Sequence, residues 1–445
     1  MQIPARPGPY PTQGADNKNL LLFYGLCIII SKDYQKGAGR VDRGYPTVTV
    51  SRKCERFIKG GHLWVYGDEI LSVDGTYENG DIVDVLTDKG RYLGSGYIND
   101  HSKIRVRIIS KNANDRFDEA FYRRRVDYAV SYRATVMGED FSSCRLIFGE
   151  ADGFPGLTVD KFEDILVAQT LCLGTDRVKS VIFAALIDAL KERGCPVTAI
   201  YERNDVKVRA LEGMDEYTAF YPMHGLHTDL PGEVIITENG LRYHVDYIHG
   251  QKTGFFLDQK YNRLAVRRLA AGKRVLDCFT HTGAFALNTA VSAAHVTAVD
   301  ISQSAIDTAR RNAALNNLTN IDFVTDNVFD LLTRMDREKD RSYDMIILDP
   351  PAFTKSRAAT KGAERGYKEI NLKAMRLLPR GGYLATCSCS HFMRDELFRS
   401  MLVSAAADAN VSLRQIECRQ QCADHPILWG VEETEYLKFY LFQVV

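Results

Sequence analysis

The fold of this chain is decided by residues 274–285, which read RVLDCFTHTGAF. The first five residues form an apolar run that is typical of a buried strand, and they lead into a turn of small residues and then a helical stretch. A strand, a tight turn and a helix form the opening unit of an open α/β sheet, whose ligands bind beside the carboxyl ends of its strands. The turn lacks the G-x-G-x-x-G pattern, so it predicts no pyrophosphate cradle and does not favour a dinucleotide.

Strands and helices alternate on both sides of this unit. We predict strands at residues 274–278, 296–299, 321–324, 345–348 and 383–386, each followed by a helical stretch. Near-continuous apolar strands of this kind form a parallel sheet covered by helices on both faces. An antiparallel pair at residues 413–420 and 436–444 ends the chain, so residues 246–445 are predicted to form a Rossmann-like class I methyltransferase fold.

Three acidic residues follow successive strands of this sheet. Asp277 ends the first strand, and a carboxylate there suits a ligand with an α-ammonium group. Asp300 ends the second strand and can accept both hydroxyls of a ribose, while Asp326 follows the third and can accept from an adenine amino group. Any one of these acids could instead cap a helix, but three together favour S-adenosylmethionine (SAM) as the cofactor. The predicted cofactor contacts are Asp277, Phe279, Gly283, Ala284, Phe285, Asp300 and Asp326.

The fourth strand runs into residues 347–353, ILDPPAF. The two prolines fix an extended turn that can direct the Asp349 carboxylate at a flat ring, and Phe353 is available for stacking. This motif indicates a planar nitrogen heterocycle but not which of its atoms reacts.

The fifth strand runs into residues 386–391, TCSCSH, which contain Cys387 and Cys389. A thiolate that adds to carbon 6 of cytosine makes carbon 5 nucleophilic, which is covalent catalysis. Asp349 would stabilise the developing charge at N3. Two buried core cysteines are the structural alternative, but a position at the open end of a strand favours catalysis.

Composition sets broad limits. The chain has 445 residues, 45% hydrophobic and 26% charged, with 57 basic and 57 acidic residues, so it fits two or three globular domains. The basic segments at 103–107 and 123–125 are weak evidence for a nucleic-acid partner. Ten cysteines without Cys-x-x-Cys or zinc spacing predict free thiols, a cytoplasmic location and no metal site.

The remaining segments divide the chain upstream of the sheet. Residues 46–115 read as a β-rich domain and 116–245 as a central α/β domain. Residues 1–45 are interpreted as an atypical, poorly ordered extension. Its apolar run at 20–30 is too short to cross a bilayer, and no membrane partner is expected.

Several stretches resemble the bacterial PUA-domain-containing 23S ribosomal RNA cytosine-C5 methyltransferases, the RlmI-like family. They are KGGHLWVY at 59–66, GEADGFPGLTVD at 149–160, GQKTGFFLDQKYNR at 250–263, RGYKEIN at 365–371 and the SCS core at 388–390. The resemblance covers about nine tenths of the chain, from residue 48 to 445, and leaves the first 45 residues unexplained.

The resemblance implies that residues 46–115 form a PUA RNA-binding domain, that 116–245 form the linker domain of the family, and that 23S ribosomal RNA is the partner. It implies that the 250–263 stretch packs over the SAM pocket, with Thr253, Phe255 and Asp258 as lining residues. It also favours Cys389 over Cys387 as the nucleophile, although a more distant Thr-Cys-Ser type of RNA cytosine methyltransferase would favour Cys387. The catalytic prediction is therefore Cys389 with Asp349, forming 5-methylcytosine.

Two other functions stay open at this point. A related ribosomal RNA guanine-N methyltransferase would keep the Asp-Pro-Pro-Phe turn but would need no cysteine. A non-catalytic RNA-binding or ribosome-assembly factor would retain SAM as a structural ligand. The oligomeric state also stays open, with a homodimer as one option.

Overall fold

The computed structural model describes residues 43–354 and 360–445. Contacts divide the chain after Tyr45, and Pro46–Val445 form one unit. The predictions made for residues 1–42, including the apolar run at 20–30, lie outside the described residues. Within the described ranges, no helix has both the length and the hydropathy to cross a membrane.

The first part of the unit is a six-stranded sheet in the order β2-β6-β5-β4-β1-β3. Its strands are β1 Thr47–Val50, β2 Trp64–Tyr66, β3 Ile70–Asp74, β4 Ile82–Thr87, β5 Tyr92–Ile98 and β6 Ile104–Ser110, with helix α1 at Arg52–Lys59. This sheet confirms the predicted β-rich block. Arg107, in the basic segment at 103–107, is only 12% exposed and pairs with Glu150 and Glu212 of the central part.

The central part is a five-stranded sheet in the order β11-β10-β9-β8-β7, followed by a hairpin of β12 and β13. Its elements are α2 Glu119–Met137, β7 Ser143–Phe148, β8 Leu157–Phe162, β9 Ile165–Thr170, α3 Leu173–Glu192, β10 Ala199–Asn204, β11 Tyr217–Phe220, β12 Glu233–Glu238 and β13 Leu241–Asp246. Helix α2 begins after Asp118, whose side chain accepts from the Phe121 N–H at 3.0 Å. The hairpin shares one apolar core with β8 to β10 and with the helices of the last part, through residues such as Tyr243 and Leu287.

The last part is a seven-stranded sheet in the order β16-β15-β14-β17-β18-β20-β19, in which the first five strands are parallel. Its elements are α4 Lys260–Arg267, β14 Arg274–Cys278, α5 Ala284–Ala290, β15 His295–Asp300, α6 Gln303–Leu315, β16 Ile321–Thr325, α7 Val328–Glu338, β17 Met345–Leu348, α8 Thr360–Leu377, β18 Tyr383–Ser388, α9 Asp395–Ala409, β19 Leu413–Arg419 and β20 Lys438–Val444. Strand β20 is antiparallel and lies between β18 and β19. The predicted Rossmann-like sheet with an antiparallel end is confirmed.

The two faces of this sheet are covered by separate apolar cores. Alternate residues of β18 show this, because Leu384 packs with α8 and α9 while Ala385 and Cys387 pack with α5. Because the five parallel strands run the same way, their carboxyl ends form one edge, and the site lies there.

Candidate active site

The carboxyl edge of the seven-stranded sheet carries the predicted polar residues in a row. Each lies within one residue of the end of its strand. Along the edge they are Asp326 at β16, Asp300 at β15, Asp277 at β14, Asp349 at β17 and Cys389 at β18. The strand register places Asp300 and Asp349 two residues beyond the level of Asp277. The row therefore joins the predicted cofactor residues on one side of β14 to the predicted catalytic residues on the other.

The turn after β14 has an unusual backbone. Phe279 (φ 63°), His281 (φ 50°) and Gly283 (φ 85°) all adopt left-handed conformations. Such conformations cost free energy at non-glycine residues, so the surroundings must hold them. The His281 N–H donates to Asp300 at 2.9 Å, which ties the turn to the end of β15. A turn held in this way can form one rigid side of a ligand-binding site.

Gly283 is required for packing as well as for its backbone angle. A Cβ atom there would lie 2.8 Å from Leu287 and 3.0 Å from Ala309. The next two residues, Ala284 and Phe285, have buried side chains, so we expect any contact with a ligand to come from their backbone.

Asp277 is fully buried and has one unsatisfied oxygen. Its Oδ2 accepts from the Thr280 hydroxyl at 2.5 Å, whereas its Oδ1 has no hydrogen-bond partner among the described residues. Burial is the largest of the causes that raise the pKa of Asp277 to about 7; the carboxylates of Asp349 and Asp300 act in the same direction, and the hydrogen bond from Thr280 opposes them. A cationic group at Oδ1 would satisfy the oxygen and relieve the repulsion. SAM, with its ammonium and sulfonium groups, fits this pocket.

Asp300 and Asp326 differ in how they are held. Both Asp300 oxygens accept from backbone N–H groups, those of His281 and Ser302, each at 2.9 Å. These bonds orient the carboxylate and leave lone pairs for ribose hydroxyls. Asp326 instead pairs with Arg334 at 2.8 Å, so a contact with adenine would have to share this carboxylate.

The 250–263 stretch packs against the same edge. Phe256 meets His281 edge-on, with ring centroids 5.2 Å apart. Gln259 donates from Nε2 to the Asp349 carboxylate at 3.1 Å and accepts from Asn262 at 2.7 Å. Gln259 was not among the residues predicted from the sequence. Its position just before a helix, within the quoted 250–263 stretch, was the only local sign of a role in the site.

The three residues of this stretch proposed as lining residues lie at different depths. Thr253 is buried, and its hydroxyl donates to Asp160 of the central sheet at 2.5 Å. Phe255 lies in the apolar core beside the hairpin. Asp258 accepts from the Tyr436 hydroxyl at 2.6 Å, while its Oδ1 has no partner among the described residues. Asp258 therefore has a free oxygen for a ligand, and cofactor contact by Thr253 stays a prediction.

The two candidate thiols have different surroundings. Cys387 is fully buried within β18, and the Asp349 carboxyl lies near its thiol. Cys389 follows the strand, is partly exposed, and its Sγ lies 3.9 Å from the Pro350 carbonyl oxygen. Burial raises the pKa of the Cys387 thiol well above its ordinary value. Burial and the Asp349 carboxylate raise the pKa of Cys389 to about 11, while Lys252 and Lys438 oppose that rise. Cys389 is thus the more accessible thiol and the one closer to cations.

Lys438 is a site residue that sequence reasoning missed. It lies in the apolar strand β20, and its ammonium donates to the carbonyls of Ser390 and Tyr436, each at 2.7 Å. Burial lowers its pKa to about 8. The sequence feature that could have indicated this residue is a lysine in a largely apolar strand. Such a lysine becomes buried, and a buried cation needs specific partners.

The Asp-Pro-Pro-Phe turn is supported by an aromatic cluster. The Phe353 ring lies 4.5 Å from Tyr367 and 5.7 Å from Phe329, and Phe279 meets both phenylalanines edge-on. The Tyr367 hydroxyl hydrogen-bonds Ser390 at 3.1 Å. The cluster therefore links the turn to the cysteine segment, and stacking of a base on Phe353 stays a prediction.

Comparisons with known proteins agree with this geometry. Residues 48–111 match a PUA-like domain family, and residues 226–443 match a family of S-adenosylmethionine-dependent methyltransferases. Solved structures with the same fold include a putative SAM-dependent methyltransferase from Streptococcus mutans, at 22% identity and a TM-score of 0.74, covering 89% of this chain and 99% of that one. A putative methyltransferase complexed with SAH matches with a TM-score of 0.75 at 21% identity, over 89% of this chain and 99% of that one.

Two curated relatives are much closer in sequence. The ribosomal RNA large subunit methyltransferase I of Klebsiella pneumoniae strain 342 is 38% identical over 409 residues, which is 91% of this chain and 100% of the relative. The protein of the same name from Shigella dysenteriae is 40% identical over 404 residues, 89% of this chain and 98% of the relative. With a PUA-like domain, a SAM-dependent methyltransferase domain and this similarity over nearly its whole length, the chain belongs to the ribosomal RNA large subunit methyltransferase I family.

Proposed function

We propose that this protein uses SAM to form 5-methylcytosine in large-subunit (23S) ribosomal RNA, with Cys389 bonding covalently to C6 of the base. The relatives named above are ribosomal RNA large subunit methyltransferases, which supports the RNA class. One observation carries the chemistry: the Cys389 thiol lies 3.9 Å from the Pro350 carbonyl. A nucleophile and a base-holding turn therefore occupy neighbouring strand ends.

A thiol is needed because C5 of cytosine is a weak nucleophile. The Cys389 thiolate adds to C6, and a proton at N3 balances the charge, so C5 becomes enamine-like. SAM, held beside Asp277, would supply the electrophilic methyl group for C5 and would leave as S-adenosylhomocysteine. Loss of the C5 proton to a base then expels the thiolate, which breaks the C6–S bond and regenerates the enzyme.

Asp349 is suited to interact with N3. Burial and the nearby Asp258 carboxylate raise its pKa to about 6, so it can hold or give a proton near neutral pH. Gln259 fixes one of its oxygens at 3.1 Å. A carboxyl in this state can donate to N3 during the addition and accept the proton back during the elimination.

Cys389 suits the nucleophilic role better than Cys387. Cys387 is fully buried inside the sheet near the Asp349 carboxyl, so a base in the site would not reach its thiol. Lys252 and Lys438 favour the thiolate of Cys389, as cations do at reactive cysteines. On the cofactor side, Asp277 would hold the ammonium group of SAM and Asp300 its ribose.

The test is incubation with tritiated SAM and undermodified 23S ribosomal RNA, followed by bisulfite sequencing of the product. Cys389→Ala is expected to lose at least about a thousandfold in rate, since a covalent step is removed. The exposed Cys418 provides a matched control, and Cys418→Ala should retain wild-type activity. RNA containing 5-fluorocytosine should trap a covalent adduct on the Cys389 peptide.

Several results would contradict the proposal. Label in guanosine would indicate a guanine-N methyltransferase. SAM binding without transfer to any RNA would indicate a non-catalytic assembly factor. Full activity in both Cys389→Ala and Cys387→Ala would exclude the covalent route, while a trapped adduct on Cys387 would reassign the nucleophile.

A further inference from the structure

A groove of about 680 Å³ lies away from the proposed catalytic row. We call it the α2 groove, because the outer face of α2 forms one wall; the end of β6, the turn at 150–153 and the loop at 426–428 form the others. Two stretches quoted from the sequence meet there: 59–66 through Leu63 and 149–160 through the turn. The loop is held against the first sheet at Gly61, where an added Cβ would lie 2.7 Å from the Gly430 Cα.

The acids of the groove lie in ion pairs. Each carboxylate has a guanidinium partner: Asp115 with Arg124 at 3.1 Å, Glu150 with Arg107 at 3.4 Å and Asp152 with Arg133 at 2.5 Å. Arg107 is shared with Glu212, which lies 2.9 Å from it. Two lining cations remain. Lys111 donates to the Ile58 carbonyl at 2.7 Å, which leaves its positive charge uncompensated. With Glu212 counted, these five cations and four carboxylates give the groove an excess of one positive charge, although the chain as a whole is neutral.

Arg125 is the less usual of the two cations. Its guanidinium lies 4.6 Å from the centre of the Phe121 ring, and it fills the space beside Gly153, where an added Cβ would lie 1.8 Å from Nη1. In the described ranges, no hydrogen bond or ion pair joins this guanidinium to another side chain or to the backbone. Burial lowers its pKa. The nearby Asp115 carboxylate opposes this fall in pKa, but its ion pair is with Arg124, so an anionic ligand at Arg125 would lower the remaining cost of burying the cation.

Exposed aromatic rings border the same groove. Tyr128 and Tyr132 line it and are 64% and 39% exposed, and Trp429 beside it is 92% exposed. Tyr132 is fixed by its hydroxyl, which donates to the Ala423 carbonyl at 3.1 Å. Exposed rings beside uncompensated cations are how proteins hold single-stranded nucleic acid, with bases stacked on rings and phosphates on cations.

We propose that the α2 groove binds an unpaired nucleotide of the RNA substrate, with its base stacked on Tyr128 and its phosphate on Arg125 and Lys111. This rests on the proposed RNA substrate but not on the methylated atom. The volume falls in the range of small-ligand sites, which suits one nucleotide rather than a helix of RNA. A protein partner would favour a larger apolar surface than this positive groove provides.

The test measures RNA binding without SAM, by fluorescence anisotropy of a labelled single-stranded RNA of mixed sequence. Tyr128→Ala should weaken binding roughly tenfold, because one stacked base is lost. Tyr128→Phe keeps the ring and should bind within twofold of wild type. Arg125→Gln should also weaken binding and lower the slope of log K against log salt by about 0.7. Arg337, whose side chain is 76% exposed on α7, gives the matched control Arg337→Gln.

Cross-linking locates the contact directly. With RNA containing 4-thiouridine, cross-links are expected on peptides containing residues 124–132 or 426–430. Binding within twofold of wild type in both Tyr128→Ala and Arg125→Gln, or cross-links confined to other peptides, would overturn the proposal. A duplex of the same sequence that binds as tightly would also overturn it. Because no methyl transfer is measured, a failure of the cytosine-C5 chemistry would leave these results unaffected, and bisulfite mapping would reveal it separately.

Discussion

Asp277→Asn is expected to weaken SAM binding and to remove most of its dependence on pH. The reason is that Asp277 has a pKa of about 7 in the ligand-free protein. A carboxyl with that pKa is about one-tenth ionised at pH 6 and about nine-tenths ionised at pH 8. If only the ionised form holds the ammonium group, the apparent affinity rises about tenfold between these pH values.

The same substitution should have the opposite effect on the ligand-free protein. The folded-state pKa of Asp277 lies above its ordinary value of 3.8, so its contribution to stability is present below about pH 4 and is lost as the pH rises through 7. At pH 8 the buried charge costs up to about 4 kcal/mol. Asparagine avoids that charge and can still accept from the Thr280 hydroxyl, which now bonds Asp277 at 2.5 Å. Asp277→Asn should therefore raise the free energy of unfolding at pH 8 while it lowers the affinity for SAM.

Isothermal titration calorimetry at pH 6 and pH 8 measures the first effect, and denaturant unfolding at pH 8 measures the second. At pH 6, buffers of different ionisation enthalpy should show release of close to one proton on binding. Asp307→Asn, an exposed change on α6, is the matched control and should match wild type in both assays. The pKa of Asp349 is also raised, to about 6. The difference in pH dependence between wild type and Asp277→Asn therefore isolates the contribution of Asp277 to SAM binding. Equal wild-type affinity at the two pH values, or an unchanged pH dependence in Asp277→Asn, would refute the reasoning.

Two further predictions concern buried charges elsewhere. Arg133→Met should lower the free energy of unfolding by about 3–5 kcal/mol, because it leaves the buried Asp152 without its bidentate partner. The control Arg123→Met, at an exposed ion pair on the same helix, should change it by less than about 1 kcal/mol. Equal losses for the two variants in urea unfolding would contradict this prediction. Lys438→Gln should slow alkylation of Cys389 by iodoacetamide at pH 8 several-fold, because the ammonium group opposes the rise in the pKa of that thiol. An unchanged alkylation rate, followed by peptide mass spectrometry, would show that Lys438 does not favour the Cys389 thiolate.

Much of the fold follows from local pattern. The apolar strands of the last part were predicted within one or two residues, because continuous apolar runs followed by helical periodicity are a strong local signal. The short strand β2 and helix α1 were missed, because elements of 3 and 8 residues carry little periodicity. The burial of Arg107 within the basic segment at 103–107 was not predicted, because a sequence cannot show that a neighbouring block will cover a strand.

Part of the candidate site could be predicted from the same local pattern of apolar strands. Asp277 and Asp349 follow apolar strands, and parallel strands bring their carboxyl ends to one edge. Gln259 and Lys438 were not predicted, because their roles depend on segments distant in the chain: Gln259 reaches Asp349 across 90 residues, and Lys438 reaches Ser390 across 48.

By itself, then, the sequence determined the order of strands and helices, the cofactor class and the residue types at the strand ends, because each depends on neighbours along the chain. Only the tertiary structure shows what surrounds those residues, such as the complete burial of Asp277 and the partial exposure of Cys389 beside the buried Cys387. Desolvation and charge–charge repulsion depend on what surrounds a group in space, so Asp277 acquires its high pKa only when the sheet closes over it. The α2 groove also exists only in the folded chain, because its walls come from segments as far apart as Leu63 and Leu428.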